Sequence, residues 1–538
     1  MVELWSAFTK DQRRNIAFYV LGIMCYKFAL EYYNGAFITL ANERFDASSR
    51  YTKIAALTGI NYAAQGVGSI LISPLIKRFP TRTVLSSAVL AFSLISAILL
   101  ITDAATGGQP RTMRADGKDH FGSYNPNALF PIYTISGIAY GMVELIRRVI
   151  PRDIVGGDVQ RLRKMDAFVH VMYEIAGTAG AFTSTALIGK LGYNYSSSLS
   201  PPLFALAACL WTFISTLGHT GAADRAALKD VERTDAIEGP RAGYASQILS
   251  SLRAFIKAFY YGAYIVFTRR SLIWLVPAYT LALYGHRYLE NGLAPIVAKQ
   301  VIGVSSYSQI MVGGSNLGEL LGALSVMIFT NAVPTPMPWL RLDALALMLV
   351  WVLPFISLER NNVKSAWRLA GIFLPVSYGW AAGDVSLAAY IQSTLARLES
   401  KDKDVSALGA VMAFLYVLYI VIYALVSTFL GRWVDSQVRA FKGAATVAPA
   451  QNALKYVGGV HFTVLAVIII ASTFIPRGAL AFNPRAEGDL ACPNEDEEIA
   501  NNNNKPPSYD EEDEIDAKEG MAKQPVGTLA KNDVVAGM

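Results

Sequence analysis

Charge is scarce in this chain of 538 residues: Asp, Glu, Lys and Arg together make up 16% of it. Soluble domains carry about 25%. The length would allow several domains of ~100–200 residues each, but this composition excludes a string of soluble ones. Cysteine is equally sparse. Cys25 and Cys209 lie in apolar blocks and Cys492 in a polar tail, which excludes a disulfide framework and zinc-ligand spacing. The histidines, His120, His170, His219, His286 and His461, are scattered, so the histidine clusters of membrane desaturases and hydroxylases are missing. No GxxxxGK[ST] phosphate loop occurs, which argues against an internal ATPase. With no nucleophile–base motif either, the chain reads as a non-enzyme with no cofactor and no metal site. The first residues, MVELWSAFTKDQRRN, are polar and amphipathic and do not form a signal-peptide pattern.

What is abundant is apolar sequence, 53% of the residues, with a mean hydropathy of +0.34. It is gathered into blocks. A membrane-spanning helix needs ~20 mostly apolar residues, and twelve stretches qualify: 16–41, 54–76, 84–101, 128–146, 167–189, 202–218, 271–297, 309–330, 342–358, 369–391, 408–430 and 457–475. Helix is forced there, because hydrocarbon offers no partner to an unpaired backbone group. The fold class is therefore an all-α polytopic membrane protein with twelve transmembrane helices. The expected organisation is a cytoplasmic N-terminus (1–15), a six-helix bundle (16–218), a central cytoplasmic loop (219–270), a second six-helix bundle (271–475) and a disordered acidic cytoplasmic tail (484–538). The central loop is rich in charge and contains an amphipathic stretch near Tyr244–Tyr264.

Charge places the ends. With the N-terminus in the cytoplasm, cytoplasmic segments hold 24 Lys/Arg and the opposite side 15, which favours both termini inside. The one glycosylation sequon, Asn194-Tyr195-Ser196, then falls outside, close to the membrane. The tail from Pro484 carries 14 acidic residues against five basic ones, leaving a strongly basic body. The basic residues sit in loops between apolar blocks, so the implied partner is the anionic headgroup layer of the bilayer and not nucleic acid.

Two features suggest a duplicated plan. Ser49, Tyr51, Ile54 and Gly66 recur 256 positions later as Ser305, Tyr307, Ile310 and Gly322. Leu30-Glu31 followed by Asn34-Gly35 is echoed by Leu289-Glu290-Asn291-Gly292. Repeated halves meeting at a central site are a common transporter plan. The loop after the second span, SPLIKRFPTR at Ser73 to Arg82, keeps the basic character of a GxLaDrxGrr motif through Lys77, Arg78 and Arg82, without its acid. The loop between the fourth and fifth spans, from Arg147, Arg148, Arg152 and Asp153 to Asp158, Arg161 and Arg163, leads into a helix with Gly177 and Gly180. With six-plus-six spans, a charged central loop and cytoplasmic ends, the chain resembles transporters of the major facilitator superfamily, here read as a fungal member. The resemblance implies secondary active transport of a small solute or ion by alternating access, coupled to protons as symport or antiport, in the plasma membrane or a vacuolar or endosomal membrane. A non-transporting adaptor or sensor on the same fold is the alternative.

A charge at bilayer depth costs several kcal/mol and normally faces a cavity or a partner. The first, fourth, seventh and tenth spans, which line the cavity in the resembled family, each carry an acid. Lys27 and Glu31 are four residues apart and share one helix face; Arg287 and Glu290 are three apart and can pair likewise. Such pairs either lock helices by neutralising one another or serve substrate or proton. The substrate- and proton-binding set expected here is Lys27, Glu31, His286, Arg287, Glu290 and Asp384. Glu144, Arg147, Arg148, Asp153, Lys77, Arg78 and Arg82 are expected at a gate or cytoplasmic loop. Glu174, His170, Glu319 and His461 are assigned packing or interface roles. Tyr26, Tyr32, Tyr33, Tyr284, Tyr288, Tyr378 and Trp380 lie beside the charges in sequence and could stack on an organic substrate or cation.

In the tail, Pro506-Pro507-Ser508-Tyr509 is a PPxY motif within polar, acidic sequence. A short polyproline run followed by Tyr suits the aromatic groove of a WW domain. The implied partner is a WW-domain HECT-type ubiquitin ligase acting through Pro506, Pro507 and Tyr509.

Overall fold

A computed structural model describes residues 8–113, 115–147, 150, 154, 159–215, 243–329, 332–396, 407–440, 448–476 and 478–484. Among them the regular structure is helical, joined by turns and loops, one of which holds an isolated bridge between Gln109 and His120. Six helices precede the central loop: α1 (Lys10–Arg44), α2 (Arg50–Arg78), α3 (Thr81–Ala105), α4 (Leu129–Arg147), α5 (Val159–Leu191) and α6 (Ser200–Thr212). Then come α7 (Tyr244–Thr268), α8 (270–302), α9 (Ser308–Phe329), α10 (Met337–Leu347), α11 (Val363–Ala396), α12 (407–440) and α13 (448–472). Every apolar stretch expected to span the bilayer overlaps one of these helices other than α7, but the stretch 342–358 leaves α10 at Leu347, continues as a 3-10 segment to Val352 and is not helical beyond it. Five of the helices, 81–105, 126–147, 305–329, 407–439 and 450–472, are long and apolar enough to cross a membrane by composition alone. The chain is an integral membrane protein.

Local chemistry sets the helix ends and irregularities. α1 starts on a capping box in which the Gln12 amide donates to Thr9 Oγ1 at 3.3 Å and the Thr9 amide to Gln12 Oε1 at 3.0 Å. Its 35 residues reach ~52 Å at 1.5 Å per residue, longer than the hydrocarbon layer. The later helices are less regular. α8 alternates α and π turns, with π segments at Val276–Leu281, Leu289–Leu293 and Val297–Ile302. α12 and α13 carry π turns at Tyr423–Ser427 and Lys455–Val460.

Several boundaries differ from the sequence reading. α6 stops at Thr212 instead of running to 218. α10 begins at Met337, five residues early, because Pro338 sits in its first turn, where a missing N–H costs nothing. That shift brings Arg341 inside the helix, where it is buried along with Asp343. Arg341 donates to the carbonyls of Thr473, Ala479, Ala481 and Phe482 and fastens the segment after α13 onto α10. The sequon at Asn194 is also closed. Its amide nitrogen donates to Asp103 Oδ2 at 2.9 Å and to His120 O at 2.9 Å, and the residue is buried, so it offers no surface for a glycan.

Close packing depends on small residues. α9 lies against α11 so tightly that a Cβ on Gly314 or Gly318 would come within 2.6 Å of Ala370 O or 2.1 Å of Leu374 O. The first six helices and α8–α13 meet along α5–α9 and α2–α12. One end of that seam is bolted. Lys299 Nζ meets Glu43 Oε2 at 2.6 Å, and Ser305 Oγ donates to Glu43 Oε1 at 2.6 Å. Asn42 Nδ2 reaches Pro295 O at 3.2 Å. The Asp435 carboxylate of α12 accepts from the Tyr51 and Thr52 amides at 3.0 and 2.9 Å, capping α2 from across the seam.

Candidate functional site

Between the two sets of helices lies a cavity of about 650 Å³. Its walls come from α1, α2, α4, α5, α8, α9, α11 and α12; α3, α6, α10 and α13 contribute nothing to the lining. It extends to Tyr19, Glu144, Arg147 and His170, the helix ends that the charge bias assigns to the cytoplasm. The bolted end of the seam is the opposite one.

On the side of the first six helices the site is built around α1. Lys27 and Glu31 form an ion pair one turn apart. Gly177 and Gly180 let α5 come up to it: a Cβ on Gly177 would stand 2.6 Å from Lys27 Cε, and one on Gly180 2.7 Å from Phe28 O. The Tyr173 ring is flanked by two cations, with Lys27 Nζ at 4.4 Å and the Arg147 guanidinium at 4.5 Å from its centroid. Arg147 is held by Glu144, Nε to Oε2 at 2.7 Å. Glu174, on α5, is buried, its Oε2 accepts no hydrogen bond, and it interacts with Lys27 and with Glu319 across the cavity.

The opposing wall carries a shared network. Glu290 sits in the π turn at Leu289–Leu293. Its Oε2 accepts from Arg287 Nη1 at 3.0 Å, its Oε1 from Ser315 Oγ at 2.7 Å, and His286 Nε2 approaches to 3.6 Å. His286 also contacts Glu319 of α9 and stacks on Trp380 of α11 with centroids 5.6 Å apart. Ser377 ties this wall to Ser315 at 2.6 Å. The donor atoms of His286, Glu290 and Glu319 lie within 4.8 Å of one another. A divalent cation there would meet the fixed charge of Arg287, which already engages Glu290. The set is better matched to a proton shared between carboxylates and imidazole.

Of the expected substrate and proton set, Lys27, Glu31, Arg287, Glu290 and Asp384 line the cavity; His286 lies behind Glu290 and Glu319. Among the expected gate residues, Glu144 and Arg147 line its mouth. Arg82 instead ties the ends of α3 and α6 together through Ile214 O at 2.6 Å. Arg148 and Asp153, the side chains of Lys77 and Arg78, and the tail residues Pro506, Pro507 and Tyr509 lie outside the described residues. Glu319, Glu174 and His170 line the cavity despite their assignment to packing. His461 is at 3.1 Å from Tyr284 OH, away from the cavity. The aromatic set also differs. Tyr26, Tyr32, Tyr33, Tyr284 and Tyr288 are buried in the packed core, and only Trp380 of that group reaches the cavity. The aromatic walls come from Tyr62, Tyr133, Tyr140, Tyr173, Tyr416 and Tyr419. A polar stripe at helical spacing on α2, Thr58, Asn61, Tyr62 and Gln65, was the available signal for that wall.

No family model and no curated protein matches the sequence. Among solved structures, the chain is similar to a D-xylose–proton symporter (11% identity, TM-score 0.55, covering 86% of this chain and 96% of that one). It is also similar to the peptide transporter POT in complex with sulfate (12%, 0.54, 85% and 94%) and to a variant of the nucleoside transporter NupG (14%, 0.52, 85% and 99%). The chain shares the fold of these three proteins.

Proposed function

We propose that the chain is a secondary active transporter that moves a small polar solute by alternating access, with protons as the coupling ion. The observation that carries this reading is the central cavity, closed at one end by the Glu43–Lys299–Ser305 and Asp435 contacts and walled by opposed charged groups. The twelve spans act as two six-helix bundles with both termini in the cytoplasm, and the described state opens inward. Lys27, Arg147 and Arg287 offer positive charge to a solute; Asn34, Asn61 and Gln309 offer amides; the tyrosines and Trp380 offer flat surfaces. Glu290 and Glu319, linked through His286, carry the coupling proton. Solute bound near Arg287 would compete with Glu290 for that guanidinium. Two of the structural neighbours, a D-xylose–proton symporter and a peptide transporter, agree with this reading.

The experiment is uptake by the purified full chain in liposomes under an imposed acid-inside or acid-outside gradient, across amino acids, peptides, nucleosides and sugars. Accumulation that collapses with a protonophore is the expected result. Ligand-dependent binding of a protein partner with no flux of any solute would replace transport by the adaptor reading. The PPxY motif adds a second element, a WW-domain ubiquitin ligase that sets surface abundance, with a surface level unchanged by Tyr509→Ala as the result against it.

A further inference from the structure

α7 stands outside the cavity walls, and the transport chemistry gives it no task. Its two ends are fastened to different halves. Tyr244 OH donates to Leu71 O of α2 at 2.9 Å. Gly262 rests on Ala410 of α12, where a Cβ would come within 2.0 Å of the carbonyl oxygen. Gln65 faces Tyr416 at 3.4 Å, and the rings of Tyr62 and Tyr419 are 5.8 Å apart. α2 and α12 therefore run antiparallel, and the same pairing continued by two turns sets Leu71 level with Ala410. α7 thus crosses the inner ends of both helices, covering ~27 Å between its two attachments.

One face of this helix is packed and the other is not. Ala258, Gly262, Ile265 and Val266 are buried. Leu249, Ile256, Tyr260, Tyr264 and Phe267 are exposed, Tyr260 and Tyr264 by 69% and 66%. A continuous apolar strip of this kind marks an interaction surface. The charge beside it is of one sign. Arg253 and Lys257 are exposed on the helix, Arg269 and Arg270 follow it, and no acid occurs from Gly243 to Arg270. Aromatic and aliphatic residues flanked by cations fit the boundary between acyl chains and headgroups, and the cations fit phosphatidylserine-type headgroups.

We propose that α7 is an interfacial strap that docks on the anionic lipid of the cytoplasmic leaflet and holds the inner ends of α2 and α12 to it. The strap needs the bilayer but not the transport step, so it can fail while the transport reading stands, and the reverse. Lipid charge would then bias how far the two inner ends separate.

The test uses the full chain with Cys25, Cys209 and Cys492 replaced by serine, and a nitroxide attached through Tyr260→Cys or Tyr264→Cys. Lys118→Cys, in an exposed loop, is the aqueous control. The protein is placed in phosphatidylcholine vesicles with or without about a third phosphatidylserine. The expected result is collision with oxygen in preference to a nickel chelate at both strap positions and the reverse at the control. Phosphatidylserine should increase that preference, and Arg253→Gln with Lys257→Gln should remove the increase, about fivefold in lipid partition for each cation lost. Nickel-chelate access at Tyr260 in both vesicles overturns the strap. Lipid access indifferent to phosphatidylserine overturns the role of charge. A phosphatidylserine effect seen only after removal of 485–538 gives the basic face to the acidic tail and overturns the proposal for the full chain.

Discussion

The two walls of the cavity solve the same problem differently. Each must keep charge inside a membrane. On α1, an uninterrupted α-helix, Lys27 and Glu31 close on each other one turn apart. On α8, three π turns interrupt the helix, and Glu290, inside one of them, is shared by Arg287, Ser315 and His286 from two helices. π turns inside α-helices gather at functional sites. A closed pair holds its two charges in place and does not readily exchange partners. A shared carboxylate has several partners that can be exchanged singly. In the proposed cycle, proton coupling falls to the second wall and electrostatic shaping of the solute site to the first.

Glu290→Gln should have the largest effect. It keeps the shape but leaves Arg287 facing a neutral amide. Arg287 keeps 38% of its side chain exposed, so the lost attraction is partly screened; the main loss is of the ionisable group, and gradient-driven uptake in liposomes should fall to the level seen without a gradient, while exchange of solute without a gradient survives better. Glu31→Gln should cost about tenfold in both assays, because Lys27 keeps Tyr173 and the interaction with Glu174. Equal loss of gradient-driven uptake in the two variants would remove the asymmetry.

Glycines beside the two walls sharpen the contrast through packing. Gly177→Ala would press on Lys27 Cε, part of a flexible side chain that can yield. Gly318→Ala would meet Leu374 O, which is backbone and cannot move without parting α9 from α11. Overpacking of the second kind costs ~1–3 kcal/mol. Thermal unfolding in detergent should therefore show a clearly lower midpoint for Gly318→Ala. Gly177→Ala should keep its midpoint and change solute affinity by displacing the ammonium. A midpoint drop at Gly177 matching that at Gly318 would contradict the flexible-wall picture.

The sequence made the charges of both walls legible for a simple reason: charge is rare in the spans, so each instance is conspicuous. Lys27, Glu31, Arg287, Glu290 and Asp384 all reach the cavity. Glu174 and Glu319 were equally visible but have no Lys or Arg within four residues to pair with, and an acid without such a partner looks the same in sequence whether it packs or lines a cavity. The tyrosines failed for the opposite reason. They are common, and proximity in sequence to Lys27 or Arg287 does not settle which side of the helix they take; Tyr26, Tyr32 and Tyr33 point into packed core while Tyr62 and Tyr419 face the solute space. The π turns of α8 have no compositional mark, because they arise from how the helix is wound against its neighbours. α7 was visible as an amphipathic stretch, but its contacts with α2 and α12 join positions far apart in sequence.

The bolted end of the seam gives the smallest expected effect and completes the comparison, because it is where the two walls must part during transport. Lys299 and Glu43 keep 24% and 18% of their side chains exposed, so their attraction is partly screened and worth ~1 kcal/mol at most. Lys299→Ala leaves Glu43 with Ser305 Oγ and leaves the Asp435 cap on α2 intact. The variant should raise the outward-open population by up to about fivefold. Ile38→Cys, on the cavity side of α1 near the closed end, should then react up to fivefold faster with an impermeant maleimide added outside. The same rate with and without Lys299→Ala would mean that the ion pair is incidental and that the Asp435 cap on α2, with the Asn42 and Ser305 contacts, holds the outer end without it.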